Sequence, residues 1–371
     1  MDDDSNVNES SLVEDICKDL YHDGEDVEIV CEGEDYTIVK EERVGKKYKL
    51  VVNYRDRNAL TQANPKLVIF EDRGIKFGDY MELLFDYESM LYYAPNDFVF
   101  DEFTIDNVVV KVDNPTFLFD VAMNGFCHDK YYKSEFYHTI SLNGITEDNY
   151  EEYLNKALFL IGYYNPSTTD ERYPRCFEFL GEFYYKYAAD EEEIEARRGS
   201  SKDYQGLAFH NIKHHEALAF YNEGKRLFGH EISFQYFYKV LEHFFLICRQ
   251  DEFKKLINDY NSNNNINEFI SNVTDIYRQN EDRQLYVLLK TVESEIPQII
   301  DEGHTKGYVA DDNIESFAEA LYTYRNTIVH GKSDEKFSVK IPSNIGSECE
   351  NYWNMAAEKI AEKLIIHYCI N

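Results

Sequence analysis

The sequence predicts an α+β protein in which an antiparallel β-rich domain precedes an all-helical domain. Between residues 27 and 145, short β-branched and aromatic runs alternate with Gly, Asp, Asn and Pro, as in strands joined by turns. From residue 205 to 371, apolar residues recur at three- and four-residue spacing, which is typical of amphipathic helices. A chain of 371 residues is long enough for two domains that each bury a core.

The N-terminal part of the chain is predicted to contain few helices and many short strands. Residues 1–26 are acidic and polar, which predicts a frayed tail with a helical turn or two. The predicted strands span 27–30, 36–39, 48–52, 67–70 and 108–112. The segment 117–121 predicts a further strand, and 79–90 predicts a short helix. No catalytic arrangement or phosphate-binding glycine loop is recognisable here, so 27–145 is interpreted as a sensor or recognition domain.

Helices dominate the rest of the chain. A capping signal at 146–149 opens a helix, and 146–204 is interpreted as a helical bridge between the domains. Five or six helices are predicted from 205 to the end. The run 234–247 is apolar on nearly all sides, which is expected of the central helix of a bundle. The other predicted helices span 266–276, 283–300 with Pro297 bending or ending it, the segment capped by Asp312 and Asn313, and 348–370.

Charge and cysteine content exclude several classes of function. A formal charge of −32 disfavours broad RNA binding, because nucleic-acid affinity depends on neutralising phosphates. The simplest role of this negative charge is to keep the protein in solution. The seven scattered cysteines predict neither a disulfide framework nor a zinc site. The first residues lack the features of a signal peptide, and no apolar run approaches the ~18 residues needed to span a bilayer. We therefore expect a cytoplasmic protein that binds no cofactor and does not associate with a membrane.

A histidine group near the start of the helical domain resembles a metal site only superficially. His210 and His214 share a helix face at their spacing, with His215 and Glu216 beside them. No third ligand follows at a fixed spacing, so surface histidines are favoured over bound metal.

One predicted helix carries residues suited to phosphate chemistry at its end. Arg325 and Asn326 are followed by His330, and Gly331 then ends the helix. A guanidinium can give a phosphate two parallel hydrogen bonds, and an imidazole with a pKa near 6.5 suits proton transfer. About one such Arg–His spacing is expected by chance, so the helix end and the neighbouring Asn and Gly carry the prediction.

This segment resembles the HEPN family of helical-bundle ribonucleases, whose mark is Arg, then a polar residue, then His after four to six intervening positions. The match is Arg325, Asn326 and His330, and the resemblance covers roughly 205–371. We expect His330 to act as general acid/base, Arg325 to hold the scissile phosphate, and Asn326 to assist catalysis by orienting the phosphate or the histidine. The resemblance implies an HEPN-like helical bundle, a homodimer with a shared cleft formed through that bundle, and a metal-independent endoribonuclease. With an acidic surface, the expected substrate is a structured RNA such as tRNA, cleaved by a regulated toxic effector of antiphage defence. A phage-derived trigger is expected at the β-rich domain.

Glu242 lies inside the apolar run 234–247, where a carboxylate is costly unless it is paired. Arg249 follows on the same helix face and Arg325 comes from another helix; we predict that Glu242 positions Arg325. Two other interpretations stay open, a noncatalytic HEPN-type binding or dimerisation module and an unrelated helical scaffold. In both, Arg325 simply pairs with Glu242, and His330 is stabilised by the negative end of its helix.

Overall fold

The chain divides into two compact units, Met1–His210 and Asn211–Asn371. The computed structural model describes residues 11–20, 24, 26–70, 73–86, 102–123, 138–146, 148–164, 174–176, 207–227, 230–277, 281–329 and 348–370. All strands within these ranges belong to the first unit, and the second is built of helices, so the α+β prediction is confirmed. The sequence places the boundary between 204 and 205. No helix in the described ranges has the length and apolar character needed to cross a membrane.

The first unit combines two sheets with four described helices. In chain order its elements are α1 (Leu12–Leu20), β1 (Val27–Glu32), β2 (Tyr36–Glu41), β3 (Lys46–Val51), α2 (Arg57–Ala63), β4 (Leu67–Phe70), β5 (Gly74–Phe77), β6 (Tyr80–Asp86), β7 (Glu102–Ile105), β8 (Val108–Asp113), α3 (Phe117–Met123), β9 (His138–Asn143), α4 (Tyr150–Tyr164), β10 (Arg175–Cys176) and β11 (Leu207–Phe209). Strands β1, β2 and β3 form one antiparallel sheet in that order. The second sheet has the order β11-β7-β8-β9-β6-β5-β4, with β10 also paired to β6.

The second sheet is antiparallel except at one edge, where β11 runs parallel to β7. Strand β6 lies between β5 and β9, with Leu83 opposite Ile140. Because β6 has paired strands on both sides and its described residues are buried, apolar residues do not alternate along it. Strand β8 shows the opposite behaviour, with buried and half-buried residues in strict alternation.

The five predicted strands are confirmed with small shifts at their ends, and two other predictions are wrong. The segment 117–121 lies in helix α3, where the backbone N–H of Asp120 donates to the carbonyl of Thr116. A short apolar run buried on every side has no period that separates a strand from a helix. Within 79–90, Tyr80–Asp86 forms strand β6 because pairing with two neighbouring strands outweighs local helix propensity. In the predicted bridge 146–204, α4 is helical and β10 is a strand, whereas 147, 165–173 and 177–204 lie outside the described residues.

Two buried carboxylates join the sheets of the first unit. Glu82 on β6 is fully buried and accepts hydrogen bonds from the Tyr80 hydroxyl at 2.8 Å and the Thr116 N–H at 2.9 Å. Arg43 Nη2 donates to Glu82 Oε1 at 3.1 Å, and Thr139 Oγ1 donates to the same oxygen at 2.6 Å. These donors satisfy a charge that would otherwise be expensive to bury.

Glu41 at the end of β2 is the second buried carboxylate. It accepts from the Phe117 N–H at 2.8 Å, the Leu118 N–H at 3.3 Å and the Tyr48 hydroxyl at 3.1 Å. Burial and the nearby negative charge of Glu82 raise the pKa of Glu41 to about 7, although the two backbone donors oppose this. The sequence gives no sign of this pair, since Glu41 and Glu82 meet only when the sheets pack.

The second unit is a helical bundle in the described residues. Its helices are α5 (His215–Arg226), α6 (His230–Phe244), α7 (Gln250–Asn263), α8 (Ile266–Tyr277), α9 (Glu281–Lys290), α10 (Pro297–Thr305), α11 (Ile314–Val329) and α12 (Glu348–Ile365). The eight described α-helices exceed the predicted five or six, in part because 283–300 is not one helix. Pro297 neither bends nor ends a helix; it begins α10 as its first residue, where its missing N–H costs nothing.

Helix α11 is anchored along one apolar face, which places its polar residues beside the core. Tyr324 stacks on Trp353 of α12 with ring centres 5.4 Å apart and meets Phe234 of α6 edge-on at 5.0 Å. Asn313 caps the helix as predicted, because its Oδ1 accepts the Ser316 N–H at 2.9 Å. Arg325 follows Tyr324 directly, so the packing of that ring fixes where the Arg325 backbone lies.

Candidate phosphate-binding site around Arg325

Arg325 is held by an ion pair with the central helix of the bundle. Its Nη2 donates to Glu242 Oε1 at 2.9 Å, and its side chain is 17% exposed. This is the pairing that the sequence predicts between α6 and α11. Arg249, the other arginine considered for Glu242, is buried in the turn Ile247–Arg249 and donates through Nη1 to the carbonyl of Ile276 at 3.4 Å.

Asn326 supports Arg325 from the buried side of α11. Arg325 Nη1 donates to Asn326 Oδ1 at 3.1 Å. Asn326 is 1% exposed, so within one chain its side chain is out of reach of an RNA. Its geometry suits a residue that orients the guanidinium, rather than one that contacts a substrate directly.

A second carboxylate and a tyrosine complete the surroundings of Arg325, and sequence reasoning missed both. Glu281 Oε1 lies 3.4 Å from Arg325 Nη2 and accepts from the Tyr238 hydroxyl at 3.3 Å. The Arg325 Cζ lies 5.4 Å from the centre of the Tyr238 ring, which is within range of a cation–π contact. Burial raises the pKa of Tyr238 and the charge of Glu281 raises it further, which keeps the hydroxyl a hydrogen-bond donor.

The sequence contained a signal for Tyr238 but none for Glu281. Tyr238 precedes Glu242 by four residues on one helix, so the two side chains share a face. Glu281 stands at the start of α9, ahead of the predicted helix 283–300, and no local spacing relates it to Arg325. Only the packing of α9 against α11 brings it to the site.

The charge balance of the site limits what Arg325 can bind in this arrangement. One guanidinium faces two carboxylates, Glu242 and Glu281, with exposed side-chain fractions of 37% and 29%. Their summed formal charge is negative, in a chain that is itself strongly acidic. An incoming phosphate would therefore compete with at least one carboxylate for the same N–H groups.

His330 and Gly331 lie outside the described residues, as does the polar segment 332–335. Helix α11 ends at Val329 in the described chain, directly before His330. The roles assigned to His330 and Arg325 in catalysis stay predictions.

Two other histidines of the second unit, His214 and His243, form a pair rather than a ligand cluster. His214 Nδ1 lies 3.5 Å from His243 Nε2, and burial lowers the pKa of both imidazoles. His210 belongs to the first unit. Within the described ranges, no group of three or more His, Cys, Asp or Glu side chains is arranged to hold a metal ion.

The arrangement around Arg325 can orient a phosphate by charge and paired hydrogen bonds. The guanidinium is always charged, and its direction is restrained by oxygens from Glu242 and Asn326. Its partial exposure leaves an approach from solvent. Comparison of the chain with protein-family models, curated proteins and solved structures finds no match.

Proposed function

We propose that the protein is a metal-independent endoribonuclease of the HEPN type. His330 takes the proton of a ribose 2′-hydroxyl, whose oxygen attacks the adjacent phosphorus. The bond to the 5′-oxygen breaks, and that oxygen leaves with a proton from a second acid. Arg325 holds the phosphate, with Glu242 and Asn326 orienting Arg325. The products carry a 2′,3′-cyclic phosphate and a 5′-hydroxyl.

The observation that carries this proposal is the restrained, partly exposed guanidinium of Arg325. Glu242 and Asn326 hold it at 2.9 Å and 3.1 Å near the end of the helix that leads to His330. An arginine that served only to satisfy Glu242 would not need a buried asparagine aligned on its other nitrogen. Pre-oriented donors are the feature through which active sites stabilise a phosphorane most effectively.

The acidic surface favours a structured RNA, such as a tRNA loop, as the substrate. Diffuse electrostatic capture is weak for a chain of charge −32, so a defined RNA shape must supply the affinity. An unrestrained ribonuclease would harm its own cell. The β-rich unit is therefore proposed to regulate the bundle and to respond to a phage-derived trigger, as expected of a toxic effector in antiphage defence.

We expect the purified protein to cleave total cellular RNA in the presence of EDTA at a basal rate, which the trigger would raise. His330→Ala should lower the rate by about 10²–10⁴-fold, the usual cost of losing a positioned acid or base. Arg325→Ala should have a similar effect because the phosphate loses its charged partner. Products are identified by mass spectrometry as 2′,3′-cyclic phosphates.

Two matched variants control for the loss of a basic side chain. His367 and Arg283 are exposed residues of the same unit, and His367→Ala and Arg283→Ala should cleave as the wild type does. Cleavage that requires a divalent ion, or that survives in His330→Ala, would contradict the proposal.

A second function is favoured by the two carboxylates on Arg325. If Glu242 and Glu281 neutralise the guanidinium permanently, the bundle is a noncatalytic HEPN-type binding or dimerisation module. That module would leave RNA intact under every condition tested, and Arg325→Ala would lower the free energy of unfolding without changing RNA integrity. The EDTA cleavage assay separates the two functions.

A further inference from the structure

Arg325 cannot bind a phosphate fully while both carboxylates contact it. Glu242 and Glu281 both approach the same nitrogen, Nη2, at 2.9 Å and 3.4 Å. Nη1 is directed to Asn326. Bidentate recognition of a phosphate needs two N–H groups of one guanidinium, so a partner on Nη2 has to leave.

The helix positions decide which carboxylate leaves more easily. Glu242 lies in the last turn of α6, where the helix dipole is negative and a carboxylate depends on its cation. Glu281 is the first residue of α9, where the dipole is positive and stabilises a carboxylate. Losing Arg325 is therefore more costly for Glu242 than for Glu281.

The contacts of Glu281 also indicate that it leaves Arg325 more easily than Glu242 does. Its distance to Arg325 Nη2 is the longer of the two, and it keeps a second partner, the Tyr238 hydroxyl at 3.3 Å. If Arg325 turns to a phosphate, Glu281 retains that hydrogen bond. Tyr238 also lies beneath the guanidinium and can support it in either arrangement.

We infer that Glu281 occupies the place of the RNA phosphate on Arg325 and is displaced when RNA binds, whereas Glu242 stays. This inference rests on the proposed function, since it assigns Arg325 to a phosphate. Glu281 is then a gate that selects against weakly bound RNA: only a substrate with enough contacts elsewhere can displace it. In a cell, that requirement would favour a structured RNA over bulk single strands.

The experiment measures binding of the full-length protein to a fluorescent RNA hairpin made of 2′-O-methyl nucleotides. This probe lacks the attacking hydroxyl, so binding is read without cleavage. Glu281→Gln keeps an oxygen that can accept from Tyr238 and removes the charge that competes with phosphate. We expect it to bind about tenfold more tightly at low salt, and the gain should shrink as salt screens the charge.

Glu302→Gln is the matched control. Glu302 is a half-exposed helical residue of the same unit that pairs with Lys306 at 2.7 Å, and Glu302→Gln removes the same charge as Glu281→Gln. Glu302→Gln should change the affinity for the RNA hairpin by a much smaller factor than Glu281→Gln does. Glu281→Ala, a second variant that removes the whole carboxylate, should also tighten binding. Circular dichroism of each variant checks that the helices are intact.

The outcomes separate the gate from the proposed function. Tighter binding by both Glu281 variants than by Glu302→Gln supports the gate. Loss of binding in Arg325→Ala, with Glu281→Gln no tighter than Glu302→Gln, would overturn the gate and leave the phosphate role of Arg325 standing. Equal binding by the wild type and Arg325→Ala would overturn that role itself, and the gate with it.

Discussion

At Glu41, burial and hydrogen bonding act in opposite directions on one carboxyl group. Desolvation and the charge of Glu82 disfavour ionisation, whereas the N–H groups of Phe117 and Leu118 favour it. Burial is the larger effect, and the pKa of Glu41 is raised to about 7. Because the unfolded value is 4.5, folding takes up a proton between these two pH values.

We expect the stability of the first unit to fall as pH rises through neutrality. The contribution of protonated Glu41 is fully present below pH 4.5 and is lost as pH rises through about 7. The slope from one such group reaches at most about 1.4 kcal/mol per pH unit. Glu41→Gln should flatten this slope, as measured by calorimetry between about pH 5 and pH 8.

The exposed neighbour supplies the control for that prediction. Glu42→Gln removes the same charge from a solvated position and should keep the wild-type slope. Absolute stability is a poor readout here, because one Glu41 oxygen accepts from Phe117 and the other from Leu118 and Tyr48. The Gln amide nitrogen replaces one of these oxygens and cannot accept. A Glu41→Gln slope equal to that of Glu42→Gln would contradict the assignment.

At the scale of elements, α5 and α6 approach each other through Gly224. A Cβ atom at Gly224 would lie 2.6 Å from Cε1 and 2.9 Å from Cδ1 of Phe237, a buried ring of α6. In an exposed helix, Gly→Ala is stabilising by up to about 1 kcal/mol. At Gly224 the contact with the Phe237 ring makes the same substitution destabilising.

We expect Gly224→Ala to destabilise the second unit by about 1–3 kcal/mol, the usual cost of overpacking. The only tryptophan of the chain, Trp353, is buried in α12, so its fluorescence during urea unfolding reports this unit selectively. Adding Phe237→Leu should recover part of the loss, since the smaller side chain relieves the contact. If Gly224→Ala alone is at least as stable as the wild type, the close contact between Gly224 and Phe237 does not limit how α5 and α6 pack.

At the scale of the whole molecule, the proposed chemistry needs more groups than one copy of the matched segment, Arg325 to His330, offers. RNA cleavage requires both a general base and a general acid. The matched segment supplies only one histidine, His330, and one arginine, Arg325. Two copies that face each other across a twofold axis would supply two of each. A homodimer through the helical bundle is therefore expected.

Sedimentation velocity at micromolar concentration tests the dimer, and a mixing experiment tests the shared cleft. Arg325→Ala and His330→Ala should each be inactive alone. Mixed with the wild type under conditions that exchange subunits, His330→Ala should lower the cleavage activity by more than its share of the protein, because a mixed cleft holds only one histidine and lacks either the base or the acid. A strictly monomeric protein with undiminished activity would exclude the shared site.

Local patterns in the sequence predicted most of what depends on neighbours along the chain. The order of a β-rich part before a helical part, five strand positions and the Asn313 cap follow from spacing and capping. The strand predicted at 117–121 was wrong, because the fully buried segment Phe117–Met123 has no exposed polar face from which a helical period could be recognised. Within the site, a carboxylate inside an apolar helix was enough to single out Glu242.

Only the tertiary structure decided which groups meet. It selected Arg325 over Arg249 as the partner of Glu242, and it brought Glu281 to the same guanidinium. It also joined Glu41 to the neighbourhood of Glu82 between two sheets. The physical reason is that periodicity reports which face of an element is buried, whereas contacts between distant residues depend on how elements pack, which no local spacing encodes.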